Sequence, residues 1–205
     1  LDSFADFGTL PYQELILFRT KTVMNLLTLG FRVLVSDIDT VWLSNPLHAV
    51  KLEVASQPAD LVITDDNGEV CGCFVYLDYT EKALIFWNNI LRGHQEIILF
   101  SHLNNSGLLP NFHMSEQKIL TRLLYDRQYN GFIDVTVLSK QQFPSGYAFF
   151  NKHIHYRNLH KQSSPVIIHN NFMIGKEMKR RRFARYGLWT YSSPVANKYN
   201  HSIIN

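Results

Sequence analysis

The sequence predicts a layered α/β fold, a mixed and mainly parallel sheet flanked by helices. Three observations carry this. Phe31 to Val35, Leu61 to Ile63 and Cys73 to Leu77 are short apolar runs without polar alternation, as expected of strands buried on both faces. Segments of helical periodicity alternate with them, and strands alternating with helices build a sheet covered by helices. With 205 residues and 46% hydrophobic content, the chain can bury a full core as one domain over residues 1–205.

Taken in order, Leu15, Phe18, Leu26 and Leu29 recur at helical spacing between Pro11, suited to a first turn, and Gly30, suited to the position past the end. The strand Phe31 to Val35 follows and ends in Ser36-Asp37-Ile38-Asp39. Leu61 to Ile63 is a second strand, closed by the turn Asp65-Asp66-Asn67-Gly68, and Cys73 to Leu77 a third. Thr80 caps a helix through Ala83, Leu84, Trp87 and Leu91 that Gly93 can end; Ser115 caps another through Ile119, Leu123 and Leu124. A strand over Val135 to Leu138, another over Val166 to Ile168 and a basic helix from Gly175 to Tyr186 complete the pattern.

The formal charge is +3, and eleven of the twenty Lys and Arg lie after Leu138, which suits an anionic ligand there or a solvated helix face. No tract interleaves basic and aromatic residues, so no nucleic-acid partner is expected. Cys71 and Cys73, separated by one residue, are expected to be packed thiols rather than a disulfide, and are too few for a structural zinc site. No apolar run approaches the roughly 20 residues that span a bilayer, so no membrane span is expected within this chain. Two Asn-x-Ser sequons, at Asn104 and Asn200, would suit a lumenal protein.

Asp37 and Asp39 fall just beyond the carboxyl end of a strand, where ligands sit in α/β sheets. In extended chain their carboxylates point the same way while Ile38 points back to the core. Like charges so close call for a neutralising cation, and carboxylate oxygens suit Mg²⁺ or Mn²⁺. Such an ion bridging to a diphosphate would offset the charge developing on a leaving nucleoside diphosphate.

The tract from Leu34 to Pro46, with Asp37-Ile38-Asp39-Thr40-Val41-Trp42 at its centre, resembles the Asp-x-Asp segment of glycosyltransferase family 77. The resemblance continues through Leu61 to Asp65, Cys71-Gly72-Cys73-Phe74-Val75-Tyr76-Leu77, Glu116-Gln117 where the family has Asp-Gln, and His169-Asn170-Asn171-Phe172-Met173-Ile174-Gly175 with Lys179 and Gly187-Leu188-Trp189. It implies a GT-A, Rossmann-like fold and a UDP-sugar donor. A glycan or glycoprotein hydroxyl would be the acceptor, with the anomeric configuration retained and xylose the leading sugar. It also implies a Golgi-lumenal site, with the anchor of a type II membrane protein outside this chain. Only 36 residues precede Asp37, so part of the N-terminal nucleotide-binding unit is expected to be missing.

Residue by residue, the resemblance implies that Asp37 and Asp39 hold Mn²⁺ or Mg²⁺, with His169 a further ligand and Gly175 and Lys179 lying along the diphosphate. Glu116 and Gln117 are candidates for donor-sugar or acceptor contact, Gln117 carrying a catalytic role with the two aspartates. Arg19, Lys21, Asp65 and Asp66 are candidates for donor contact. Each has a plainer reading beside it: a structural His, a solvated basic run at Lys179 to Arg182, a polar first turn, a turn at Asp65-Asp66, surface salt bridges for Arg19 and Lys21. Gly72 would allow close backbone approach. Two rival functions remain at this level. One is a haloacid-dehalogenase-like phosphatase with Asp37 as nucleophile, which would still need a distant Lys and a second acidic pair. The other is a transferase-like domain that binds a glycan or partner without turnover.

Overall fold

A Schellman turn ends the first helix of this computed structural model, which describes residues 9–66 (of Asp66 the backbone alone), 68–103, 116–126, 131–151 and 164–189. Helix α1 (Leu10–Thr28) opens at Thr9, whose hydroxyl accepts from the Tyr12 amide, and Pro11 sits in its first turn as expected. At its end the amides of Gly30 and Phe31 reach the carbonyls of Leu27 and Leu26, with Gly30 at φ 88°. The buried face differs from the expected one: Ile16, Thr20, Val23 and Leu27 are inside, whereas Leu15, Phe18 and Leu29 are exposed. The buried set has its own i, i+4, i+7, i+11 spacing and is the face that α1 turns to α3.

The chain divides into two compact units. The first takes the described residues up to Asp37 and Leu47 to Ser139; the second takes Ile38 to Pro46 and the described residues from Lys140 on.

In the first unit, β1 (Val33–Ser36), β3 (Leu61–Asp66), β4 (Glu69–Leu77) and β5 (Val135–Leu138) form a sheet in the order β1-β4-β3-β5. The sheet is mixed, as expected, but the parallel bias is not found: β1·β4 and β3·β4 are antiparallel, and only β3·β5 is parallel among the described strands. The connection from β3 to β4 is a tight hairpin, which can only join antiparallel neighbours. Helices α2 (Pro46–Ser56), α3 (Glu81–Leu103) and α4 (Glu116–Tyr125) accompany it, α2 having given no signal in the sequence reading. Thr80 caps α3, its hydroxyl accepting from the Ala83 amide at 3.1 Å. Gly93 does not end α3. A Cβ there would lie 3.2 Å from Ile119 Cγ2, so the glycine gives room for α4 rather than a stop. Trp87, Phe86, Ile90, Leu61, Leu77 and Leu120 fill the core.

Cys71 and Cys73 are joined in a disulfide, contrary to the expectation of packed thiols. The β3·β4 register jumps from Ile63↔Val75 to Thr64↔Cys71, so β4 bulges between the two cysteines and their Cα atoms come within 5.1 Å.

In the second unit, β2 (Thr40–Trp42) pairs antiparallel with β6 (Ile167–His169), Thr40 opposite His169. A π-helical turn (Tyr147–Asn151) and helix α5 (Lys176–Arg185) pack on them around Phe150, Ile168 and Phe183. Gly175 precedes α5 at φ 88°, a conformation that favours glycine. Among the described residues no helix is long and apolar enough to cross a membrane. Ser115 and the sequons at Asn104 and Asn200 lie outside the described residues.

Candidate active site

The first unit carries a charged cluster around Arg19. Asp37 follows β1, its amide donating to the Cys73 carbonyl at 2.9 Å. Arg19, on the partly exposed side of α1, donates from Nη1 to Asp37 Oδ1 at 2.7 Å and from Nη2 to Glu116 Oε2. Glu116, at the start of α4, is 5% exposed. Burial raises its pKa, Arg19 opposes this and the nearby Asp37 adds to it, leaving the carboxyl above its ordinary range. Burial lowers Arg19, but Glu116 and then Asp37 outweigh that and its pKa is raised, so the guanidinium stays charged. Gly72 belongs here as well, since a Cβ on it would lie 3.6 Å from Glu116 Oε2. That is ordinary van der Waals contact, so the close backbone approach expected at Gly72 is not seen there.

Behind Arg19 lies a residue that the sequence reading missed. His94 on α3 is 2% exposed, and its Nδ1 meets the Thr20 hydroxyl at 2.9 Å. That hydroxyl donates to the Ile16 carbonyl, so it receives from Nδ1–H, leaving Nε2 buried as an acceptor without a partner among the described residues. Burial first, and the charge of Arg19 second, bring the imidazole down to about 4, so it is neutral at ordinary pH. The only sequence signal was a polar residue on an otherwise apolar helical stripe, one turn beyond Ile90.

The second unit carries a cluster around Asp39. Asp39 opens β2 and His169 closes β6, and Asp39 Oδ1 lies 3.3 Å from His169 Nε2. Lys179, on the first turns of α5, donates to Asp39 Oδ2 at 2.6 Å. Burial would raise the Asp39 carboxyl, yet His169 and then Lys179 hold it far below the usual carboxylate range. Three of the expected residues, Asp39, His169 and Lys179, are therefore brought together by β2, β6 and α5. Ile38 is not turned to the core as expected but fully exposed, because residues 38 and 39 form a turn and strand alternation does not apply. The basic run is likewise not wholly solvated: Arg181 is exposed beside Glu177, but Arg182 is 7% exposed.

The remaining candidates have quieter surroundings. Gln117 Nε2 donates to Glu69 Oε2 at 3.1 Å. Asp65 accepts from the Gly68 amide at 3.0 Å, which is a turn role. Lys21 is exposed on α1, and the side chain of Asp66 lies outside the description.

A carboxylate and an imidazole presented side by side, with a lysine on the same carboxylate, form a donor set for a divalent ion next to a cation for an anion. Residues 1–183 match the nucleotide-diphospho-sugar transferase family. The chain belongs to that family. Membership bears out the family-77 resemblance and sets aside the phosphatase reading of Asp37 and Asp39. Among curated relatives in the family's range, a UDP-D-xylose:L-fucose alpha-1,3-D-xylosyltransferase of Arabidopsis thaliana is 28% identical over 89% of this chain and 51% of its own length. A UDP-galactose:fucoside alpha-3-galactosyltransferase of Dictyostelium discoideum is 25% identical over 89% of this chain and 29% of its own. The chain spans about half the length of the xylosyltransferases it matches. Among solved structures, the glycosyltransferase GlyE of Streptococcus pneumoniae TIGR4 aligns at 17% identity and TM-score 0.42, over 82% of this chain and 42% of that one.

Proposed function

We propose that this chain is the greater part of a metal-dependent glycosyltransferase domain, moving a sugar from a UDP-sugar to a glycan or glycoprotein hydroxyl with retention. The family match over residues 1–183 runs through both compact units and supports reading them as one domain. The observation that carries the reading is Asp39 held between His169 and Lys179 at the ends of β2 and β6 and the start of α5. Xylose as the donor sugar rests on the relatives, several of which are UDP-D-xylose transferases. Golgi-lumenal residence follows from the family resemblance.

Asp39 and His169 would hold Mn²⁺ or Mg²⁺, with Asp37 two residues earlier in the chain as a further ligand. When bound, the ion supplies Lewis-acid stabilisation of the leaving diphosphate. Lys179 contributes a fixed positive charge beside Asp39, suited to a phosphate oxygen once the carboxylate is otherwise neutralised. Gly175 leaves the start of α5 without a side chain, so backbone amides there can face an anion. In the first unit Arg19 holds Asp37 and Glu116 in place, and Gln117, next to Glu116, is the candidate for sugar contact.

Calorimetric titration of UDP into the purified chain with Mn²⁺, with EDTA, and with Asp39→Ala tests the proposal. Binding that needs Mn²⁺ and is lost in Asp39→Ala is the expected result. A folded protein that binds no UDP under any of these conditions would favour a transferase-like domain without turnover.

A further inference from the structure

Asn170 follows His169 directly and is completely buried. Its backbone amide donates to the Asp39 carbonyl at 2.9 Å. Its side-chain Nδ2 donates to the Lys179 carbonyl at 2.9 Å, and its Oδ1 accepts from Arg182 Nε at 2.6 Å. A guanidinium can only donate and a carbonyl can only accept, so the amide has one possible orientation and cannot flip. One residue thus ties together the three segments that carry Asp39, His169 and Lys179.

Its support is fixed in turn. Arg182 donates from Nη2 to the Asn171 carbonyl at 2.5 Å, and its guanidinium lies 4.5 Å from the centre of the Phe150 ring. Gly146 donates its amide to Asn171 Oδ1 at 2.6 Å. A Cβ on Gly146 would fall 2.8 Å from the His169 carbonyl oxygen and 2.7 Å from that of Asn171, so only glycine lets these carbonyls come so near. A buried amide whose partners are this specific costs free energy wherever one is lost, and that makes the arrangement selective for a single geometry.

We propose that Asn170, locked by Arg182, is the positioning residue that sets Asp39 and His169 at the spacing needed to bind a divalent cation, while holding the segment that carries Lys179 beside them. This rests on the reading that Asp39 and His169 hold the metal. Asn170 has no role legible in the sequence, because an Asn just past a strand carries no mark of where its amide is spent.

The test is Mn²⁺ alone, titrated into wild-type chain, Asn170→Asp and Arg182→Lys, with free Mn²⁺ followed by electron paramagnetic resonance and melting followed by circular dichroism. Asn170→Asp keeps the shape and the acceptor for Arg182 but sets a carboxylate oxygen against the Lys179 carbonyl. Its added negative charge would by itself strengthen cation binding, so a weakening isolates the loss of position. The expected result is a roughly tenfold to hundredfold weaker Mn²⁺ affinity, the usual effect of removing a residue that orients a ligand, in a variant that still melts cooperatively but at a lower temperature. Arg182→Lys keeps the charge but loses the two-bond fork, and is expected to weaken binding less. Should Asn170→Asp fail to fold, Arg182→Lys carries the test. Equal affinity in wild type and in the folded variants would overturn the role of Asn170 while leaving the metal site standing. Absence of Mn²⁺ binding in the wild type would instead remove the metal reading, and the positioning role with it.

Discussion

Asp37 and Asp39 stand two positions apart, yet the two units neutralise them with different chemistry. In the first unit Asp37 meets Arg19, whose planar fork also takes the buried Glu116 and is backed by the neutral His94 on the far side of Thr20. In the second, Asp39 meets the flexible ammonium of Lys179 and the imidazole of His169. A guanidinium bridging two carboxylates is a fixed strut, whereas an ammonium on a four-carbon stem is a point charge that can be exchanged. The difference teaches that two carboxylates of one short motif can be neutralised in different ways, Asp37 by a guanidinium shared with a buried glutamate and Asp39 by an ammonium and an imidazole.

Arg19→Met is the sharpest way to break this contrast. It strands Glu116 in the interior and is expected to cost about 4 kcal/mol in urea unfolding. A cost below that of an ordinary surface pair would show that Arg19 is no strut.

Next in size is a pH effect. Neutral His94 is favoured in the folded state, its pKa lying near 4 against an ordinary 6.5. As pH falls below 6.5 the unfolded chain takes up the proton first, so stability is full above 6.5, declines by about 3 kcal/mol toward pH 4 and is flat below. Melting curves across that range should show the decline, and His94→Phe should abolish this component.

Gly146→Ala probes the second unit. The new methyl meets two carbonyl oxygens closer than carbon ever packs, and about 2 kcal/mol of destabilisation is expected by thermal melting. The smallest stability effect belongs to Lys179→Met, which breaks a partly buried pair and is expected to cost about 1 kcal/mol. In the same variant, UDP affinity with Mn²⁺ present should drop roughly tenfold, since a charge-assisted bond to phosphate is lost. Unchanged affinity would place Lys179 with the solvated residues of its helix.

The sequence by itself determined most elements and the acidic pair. Apolar runs at Leu61 and Val135, Thr80 as a cap and Gly30 as a terminator are local signals, governed by propensity and backbone conformation, and the structure places them as expected. Asp39, His169 and Lys179, which the structure brings together, stood out in one dimension because they are polar residues near strand ends or in the family's motif order. What only the tertiary structure decided depends on neighbours distant along the chain. Which stripe of α1 is buried was set by α3; Gly93 passed from stop to clearance because Ile119 lies over it; Cys71 and Cys73 met because β4 bulges. The amides and charges of Glu116, His94, Asn170 and Arg182 likewise acquire their meaning from desolvation, and desolvation is a property of the packed molecule rather than of any segment.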